Sequence, residues 1–335
     1  MVREGIYEQV INKQLKFALS ELDKSDYAIE VDKLDVEEAR KMLSTYIANV
    51  TRKALIYVRE QGGDEQEALL RQIKTCNKII STLSQELNDK EFSKLQIDDE
   101  GEVLLSIYSK LNSIRSIKKT NAIRPITSIA ESTLFTGSKH EPNMLNELQK
   151  EILSSDKIDF LVSFIKWSGI RIIMNELKNF TDQGGTLRII TTSYMEATDY
   201  KAILELSKLK NTEIKISYDD SSTRLHAKAY MFRRSTGFTT AYIGSSNLSN
   251  PALTSGLEWN VKVTEKDSFD IIQRFEGAFE SYWNDQEFRL FDPNVEHDRT
   301  QLKNALKKQV VKEEQEVYYT LDIRPYQYQK EMLEQ

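Results

Sequence analysis

The sequence predicts an α/β (α+β) protein: a mixed β-sheet flanked by helices, preceded by an all-helical N-terminal domain. Three observations carry this expectation. Up to about residue 110 the apolar residues recur every three to four positions; beyond it, short β-branched runs alternate with helical stretches; and from residue 224 three strand-like runs follow in close succession. Alternation implies parallel strands with helices on the faces, and the late cluster of strands makes the sheet mixed. At 335 residues the chain exceeds one typical domain. The expected divisions are a helical domain at 1–110, a linker at 111–130, the α/β domain at 131–290 and a charged helical tail at 291–335.

The helical part shows three stripes. Ile6, Val10, Leu15, Ala18, Leu19 and Leu22 form the first; Val36, Ala39, Leu43, Ile47, Val50, Ala54 and Val58 form the second. Asp35 with Glu38 three residues on resembles a capping box, and Gly62-Gly63 ends that helix. Leu69, Leu70, Ile73, Ile80, Leu83 and Leu87 form the third stripe. The α/β part follows with strands "IDFLVSFI" (158–165) and "GTLRIITTS" (185–193), separated by helical "RIIMNELKNFTDQGG". Helix "TDYKAILELSKL" then leads to strand "TEIKISYD". Three strands come next, at 224–233, 239–244 and 257–264, before a helix at 268–284.

Composition narrows the setting. With 39% hydrophobic and 29% charged residues the chain has the make-up of a soluble globular protein. The one cysteine, Cys76, excludes an internal disulfide, no Cys/His cluster has zinc-ligand spacing, and a reducing cytoplasm is the expected location. The N-terminus lacks an apolar core of signal-peptide type, and no apolar run reaches membrane-spanning length, so no membrane partner is expected. A net charge of −6 argues against indiscriminate nucleic-acid binding but leaves room for a local basic groove. Two basic clusters stand out: Arg224, Lys228, Arg233 and Arg234, and Lys110, Arg115, Lys118, Lys119 and Arg124, the second reading as a solvated linker.

The chemistry concentrates in "RLHAKAYMFRRSTGFTTAYIGSSNLS", residues 224–249. On a strand His226 and Lys228 face the same side, while Leu225, Ala227 and Ala229 fill the other. A lysine beside an imidazole suits an anion better than a core. The strand "TTAYI" ends at Gly244, where "GSSN" offers small residues, backbone N–H groups and the Asn247 amide. Asn250-Pro251 starts a short helix that Gly256 ends. In "LEWNVKV", Glu258, Asn260 and Lys262 share one face and Leu257, Trp259, Val261 and Val263 the other, so Glu258 is placed to accept a hydrogen bond from an imidazole. A lone strand histidine is ordinarily structural; here a lysine, an asparagine turn and a carboxylate accompany it. Lys166 and Trp167 after the first strand, and Ser193 and Tyr194 after the second, are further residues placed to touch a substrate, though ordinary exposed loops would look the same.

The ordered set His226-x-Lys228, Gly244-Ser245-x-Asn247 and Glu258 resembles the phospholipase D superfamily. It is similar in particular to the nuclease-like branch found at the N-terminus of bacterial helicase and restriction proteins. The resemblance spans roughly residues 125–290 and includes "LVSFIKWSG" and "LRIITTSYMEATD". It implies a phospholipase D-like fold and a metal-independent phosphodiesterase acting on DNA, single-stranded DNA included, without a cofactor. By this resemblance His226 is nucleophile or acid, Lys228 and Asn247 bind phosphate, Glu258 fixes the ring tautomer, and Ser245, Arg224 and Lys166 are further substrate contacts. Two departures bear on this. The superfamily's usual aspartate after the lysine is missing, since position 233 is arginine and no carboxylate lies between Lys228 and Gly244, which favours the nuclease branch. Neither His140 nor His297 is followed by x-Lys, so the two histidines of a full site require a homodimer with a composite active site.

The final segment "LDIRPYQYQKEMLEQ" resembles the entry to a superfamily 2 helicase motor, with Gln327 as the adenine-recognising glutamine. No G-x-x-x-x-G-K-[ST] occurs, so a motor is expected beyond these residues, in a longer restriction or antiphage defence protein. Two alternatives stand beside the nuclease: a non-catalytic nucleic-acid-binding or dimerisation module of a helicase, and a lipid phosphodiesterase.

Overall fold

The computed structural model describes residues 2–23, 25–108, 123–138, 141–194, 198–218, 225–254 and 256–315, with side chains to residue 306. The chain divides into two compact units, Met1–Leu105 and Ser106–Gln335.

The first unit is helical: α1 (Lys13–Ser20), α2 (Val36–Glu60) and α3 (Glu65–Glu86), then a single 3-10 turn at Phe92–Leu95. Each helix begins where a short polar side chain satisfies free N–H groups. Asn12 accepts from the Leu15 N–H at 2.8 Å, Asp35 from the Glu37 N–H at 2.7 Å and Asp64 from the Glu67 N–H at 2.8 Å. α2 stops before Gly62 and Gly63, whose φ of +85° and +100° are left-handed. Ile73 alone is buried among the described residues of this unit; Leu43, Ile47, Val50, Leu69, Leu83 and Leu87 keep exposed faces. The second and third stripes form helices, whereas α1 takes in only Leu15, Ala18 and Leu19 of the first, with Ile6, Val10 and Leu22 outside it; none of the three closes a core of its own.

The second unit is built on an eight-stranded sheet among the described residues, in the order β1-β7-β6-β5-β2-β3-β4-β8. Its strands are β1 (Thr133–Phe135), β2 (Lys157–Val162), β3 (Thr186–Thr192), β4 (Thr212–Ser217), β5 (Lys228–Arg233), β6 (Thr240–Gly244), β7 (Asn260–Thr264) and β8 (Phe288–Leu290). β2, β3 and β4 run parallel, and the other pairings are antiparallel. The expected mixed sheet is therefore present. Its helices are α4 (Met144–Ser154), α5 (Trp167–Ile170), α6 (Met174–Asp182), α7 (Tyr200–Ser207), α8 (Asn250–Thr254), α9 (Phe269–Asn284) and α10 (Glu296–Gln315).

Alternation along the strands divides the core. Phe160, Tyr230, Phe232 and Tyr242 face α4, α6 and α7, and their rings meet edge to face at centroid distances of 5.2 to 6.1 Å. Leu161, Ala229, Met231, Ala241 and Val263 face the other way, against Ile272, Phe275 and Phe279 of α9. Among the described residues no helix is long and apolar enough to cross a membrane.

Beneath the first face lies a buried polar network that the strand pattern does not reveal. Lys262 is fully buried and pairs with Glu147 at 3.1 Å and Glu151 at 3.0 Å, both fully buried on α4. Arg234 pairs with Glu151 as well, which also accepts from Tyr242 Oη at 2.8 Å and Thr240 Oγ1 at 2.9 Å. Burial pushes the Glu151 carboxyl up, but Arg234 and Lys262 outweigh it and hold it below the ordinary carboxylate value.

Candidate active site

β5 starts at Lys228, paired with Val162 of β2, so His226 lies in the extended lead-in and not within the strand. The Ala227 carbonyl holds this lead-in in place by accepting from the Ser163 N–H at 2.9 Å. The imidazole is exposed and Lys228 half-buried. Lys228 Nζ stands 3.1 Å from His226 Nδ1 and 3.0 Å from Nε2. The lone pairs of the two ring nitrogens diverge in the ring plane, so a donor equidistant from both aligns with neither. An ammonium can be received only by an unprotonated ring nitrogen, the form in which histidine acts as a nucleophile. Burial holds the Lys228 ammonium below the ordinary lysine value, and Glu258 partly opposes that shift.

The turn after β6 is clamped from two sides. Tyr230, two residues past Lys228 on the same face and fully buried, donates its hydroxyl to the Ser246 carbonyl at 2.6 Å. Burial and then Glu258 push the Tyr230 phenol up, which keeps it a neutral donor. Asn260 donates from Nδ2 to Ser246 Oγ at 2.8 Å. Gly244 permits this packing, because a Cβ there would lie 2.1 Å from the Trp259 carbonyl oxygen. Asn247 sits in the clamped turn, half-buried, and its Oδ1 is buried without a hydrogen-bond partner.

Glu258 precedes β7 by two residues and is half-buried. Ser245 Oγ donates to its Oε2, and Ser245 Oγ in turn accepts from the Trp259 N–H at 3.0 Å. The expected bond from Glu258 to the His226 ring is not made in this arrangement, and Glu258 Oε2 accepts from Ser245 instead. Glu258 still acts electrostatically on both Lys228 and Tyr230. His226, Lys228, Ser245, Asn247 and Glu258 thus belong to three adjoining segments at one end of β5, β6 and β7.

Other expectations fare differently. Of the first basic cluster, the described members Lys228, Arg233 and Arg234 do not form a patch. Arg233 pairs with Asp159 and Glu276, each at 2.7 Å, and Arg234 is buried against Glu151, both at the far end of β5. Six residues of extended chain separate Lys228 from Arg234 by about 20 Å. Lys166 lies 3.4 Å from Asp199, whose other oxygen accepts from the Trp167 N–H at 2.8 Å, and Lys201 stands over the Trp167 ring at 4.5 Å. Ser193 is buried and bonds to the Ser217 carbonyl at 3.3 Å, so it does not face solvent. Along β7 the expected alternation holds, yet the polar Asn260 and Lys262 point inward while Trp259 and Val261 point out. Arg224, His140, the basic linker from Lys110 to Lys119 and the segment with Gln327 lie outside the described residues.

Comparison with known proteins bears on this region. The family model described as "Cardiolipin synthase, PLD-like domain" matches residues 148–283. No curated protein sequence matches. Similar solved structures include NucT from Helicobacter pylori, at 18% identity over 45% of this chain and 94% of that chain, with a TM-score of 0.35. Nuc from Salmonella typhimurium, a phospholipase D family member, shows 17% identity over 48% of this chain and 99% of that one, with a TM-score of 0.37. Phosphatidylserine synthase from Haemophilus influenzae shows 10% identity over 55% and 46%, with a TM-score of 0.36. The matched stretch runs from within α4 to α9 and takes in His226, Lys228, Asn247 and Glu258. Residues 148–283, on a mixed sheet flanked by helices, thus have a phospholipase D-like fold.

Proposed function

We propose that the chain is a metal-independent phosphodiesterase that cleaves DNA through a phosphohistidine, at a site shared by two copies of the chain. The observation that carries this reading is the meeting of His226, Lys228, Asn247 and Glu258 at one end of three adjoining strands. A phosphodiester resists attack until its oxygens are neutralised, and the Lys228 ammonium with the Asn247 amide supplies donors for that. The donor set also disfavours a divalent cation, since one carboxylate stands beside an ammonium.

A ring nitrogen of His226 attacks phosphorus, and a P–N bond forms as a P–O ester bond breaks. The leaving oxygen takes its proton from the second copy's imidazole on the opposite side. Water then attacks the phosphohistidine, giving up its proton to that same second imidazole, and the first histidine is restored. Glu258 offsets the cationic charge at Lys228 and holds Ser245. The nuclease domain of this reading is residues 131–290, and its linkage to a helicase in a defence protein rests on the sequence resemblance and on "LDIRPYQYQKEMLEQ".

The test is incubation with plasmid and with single-stranded DNA in excess EDTA and without ATP. Cleavage is expected to survive; loss of cleavage that magnesium restores contradicts the reading. A lipid phosphodiester substrate is a second reading, favoured by the description of the matched family, and turnover of phosphatidylcholine vesicles in place of plasmid distinguishes it. DNA binding without turnover on either substrate points to the non-catalytic module.

A further inference from the structure

The sheet edge that carries the candidate site continues past it. Lys228 of β5 stands opposite Val162 of β2; one step past the Leu161–Ile190 pair, Thr191 of β3 stands opposite Ile216 of β4, which stands opposite Arg289 of β8. Residues opposite one another across a ladder share a face, so Arg289 and Lys228 lie on the same face at the same level, four strand spacings or about 19 Å apart. At Arg289 a cleft of about 360 Å³ opens, lined by Tyr218, Gln286, Glu287, Arg289 and Gln301. All but Tyr218 lie beyond residues 148–283, so the matched family domain does not supply it.

Printed contacts lead from one place to the other. The Lys166 N–H donates to the Leu248 carbonyl at 2.9 Å, next to Asn247. Trp167 follows, with Lys201 of α7 over its ring; Tyr200 precedes Lys201, with Lys303 of α10 over its ring at 5.2 Å; and Gln301, two positions before Lys303, lines the cleft. Asp199 on this path is bonded to Lys166 and to the Trp167 N–H. Cations alternating with aromatic rings are how a protein follows a single strand. The cleft itself has a different chemistry. Ser217 Oγ donates to Glu287 at 2.9 Å and keeps a carboxylate there. Burial and then Asp298 push the Tyr218 phenol up to about 12, against Arg289, so it stays a neutral donor. A carboxylate disfavours a phosphate in the cleft, whereas a guanidinium, two carboxamides, a carboxylate and a phenol together match a neutral ring with donors and acceptors on one edge. An unstacked nucleobase is such a ring.

We propose that this cleft is a nucleobase subsite: it takes one unstacked base of the strand whose phosphate lies at Lys228 and Asn247, several nucleotides from the cut, with the lysine–aromatic path between them. That a strand is cut at all rests on the phosphodiesterase reading; the cleft and the path rest on their own contacts. The test uses the full chain carrying His226→Ala, which stops cutting, and a decathymidylate in which 5-iodouracil replaces thymine. Irradiation is expected to cross-link the strand to Tyr218. Arg289→Ala and, on the other wall, Gln301→Ala are each expected to weaken binding of the decathymidylate about ten-fold in fluorescence anisotropy at an unchanged melting temperature. An abasic strand of the same length, which keeps the phosphates, should feel neither substitution. Equal losses on the abasic strand would make Arg289 a phosphate contact and overturn the subsite. Unchanged affinity in both variants, or cross-links confined to the neighbourhood of Lys228, also overturns it, and plasmid cleavage by the wild type then leaves the phosphodiesterase reading standing. Cross-linking at Tyr218 in a chain whose wild type cleaves no phosphodiester supports the subsite and removes the catalytic reading.

Discussion

The two ends of β5 carry cations of the same sign and use them in opposite ways. At the far end Arg233 and Arg234 are each held by carboxylates, two of which, Asp159 and Glu151, are fully buried. At the near end, among the described residues, no carboxylate lies within ion-pair reach of Lys228; its neighbours are an imidazole and the more distant Glu258. Pairing turns a cation into framework, because breaking a buried pair strands a charge away from water. A half-buried cation without such a partner disfavours folding slightly and is available to an incoming anion. The comparison separates residues that hold the sheet from residues that can act.

The sharpest way to break this comparison is to remove the cation at each end. Lys228→Met is expected to lower turnover by about a hundred- to a thousand-fold, the scale of a lost oxyanion donor, while the melting temperature holds or rises. A fall in stability without loss of turnover would place Lys228 with the framework. Lys262→Met leaves the buried Glu147 without its cation and Glu151 with Arg234 alone, and is expected to destabilise the fold by about 3–5 kcal/mol in urea unfolding. A near-neutral result there would mean that the network is not what orders α4 against the sheet.

Titration sharpens the same contrast. The folded-state pKa of Glu151 is depressed, so its contribution to stability is present above the unfolded carboxylate value of about 4.3 and is lost as pH falls through the lower folded value. Urea unfolding between pH 6 and pH 3 should show this slope in the wild type and a shallower one in Glu151→Gln. Equal slopes would contradict the assignment. The smallest effect is expected for Tyr230→Phe, which removes one hydrogen bond to the Ser246 carbonyl and about 1 kcal/mol of stability. Because that bond fixes the Asn247 turn, turnover should fall by about ten-fold with DNA binding little changed, a split that loss of packing alone would not give.

Much of the geometry of the candidate site was legible because its signals are local. The two-residue spacing brings His226 and Lys228 together although His226 precedes β5, and the Gly244-to-Asn247 turn announces itself by its small residues, with Gly244 needed for the approach of Trp259. The framework was hidden because its partners are distant in sequence. Period-two alternation says which residues of β7 share a face but not which face is inward, and Lys262 is buried only because Glu147 and Glu151, more than a hundred positions away, converge on it. A signal did exist: Glu147 and Glu151 are one helical turn apart beside Leu148 and Ile152, carboxylates on what becomes the inward face of α4. β1 and β8, three residues each, are too short to show a period. In the helical unit the two longer stripes were readable, the first overran α1 at both ends, and what the pattern could not give was the absence of a core behind them.

Each chain brings one histidine to the near end of β5, and the account stands on two of them acting on one phosphate. Differently tagged wild-type and His226→Ala chains, co-expressed and purified as the mixed dimer, test this most directly when plasmid cleavage is measured beside the wild-type dimer. The account predicts a mixed dimer with almost no activity, since either nucleophile or acid is always missing. A mixed dimer that keeps about half of the wild-type rate would show that each chain carries a complete site of its own.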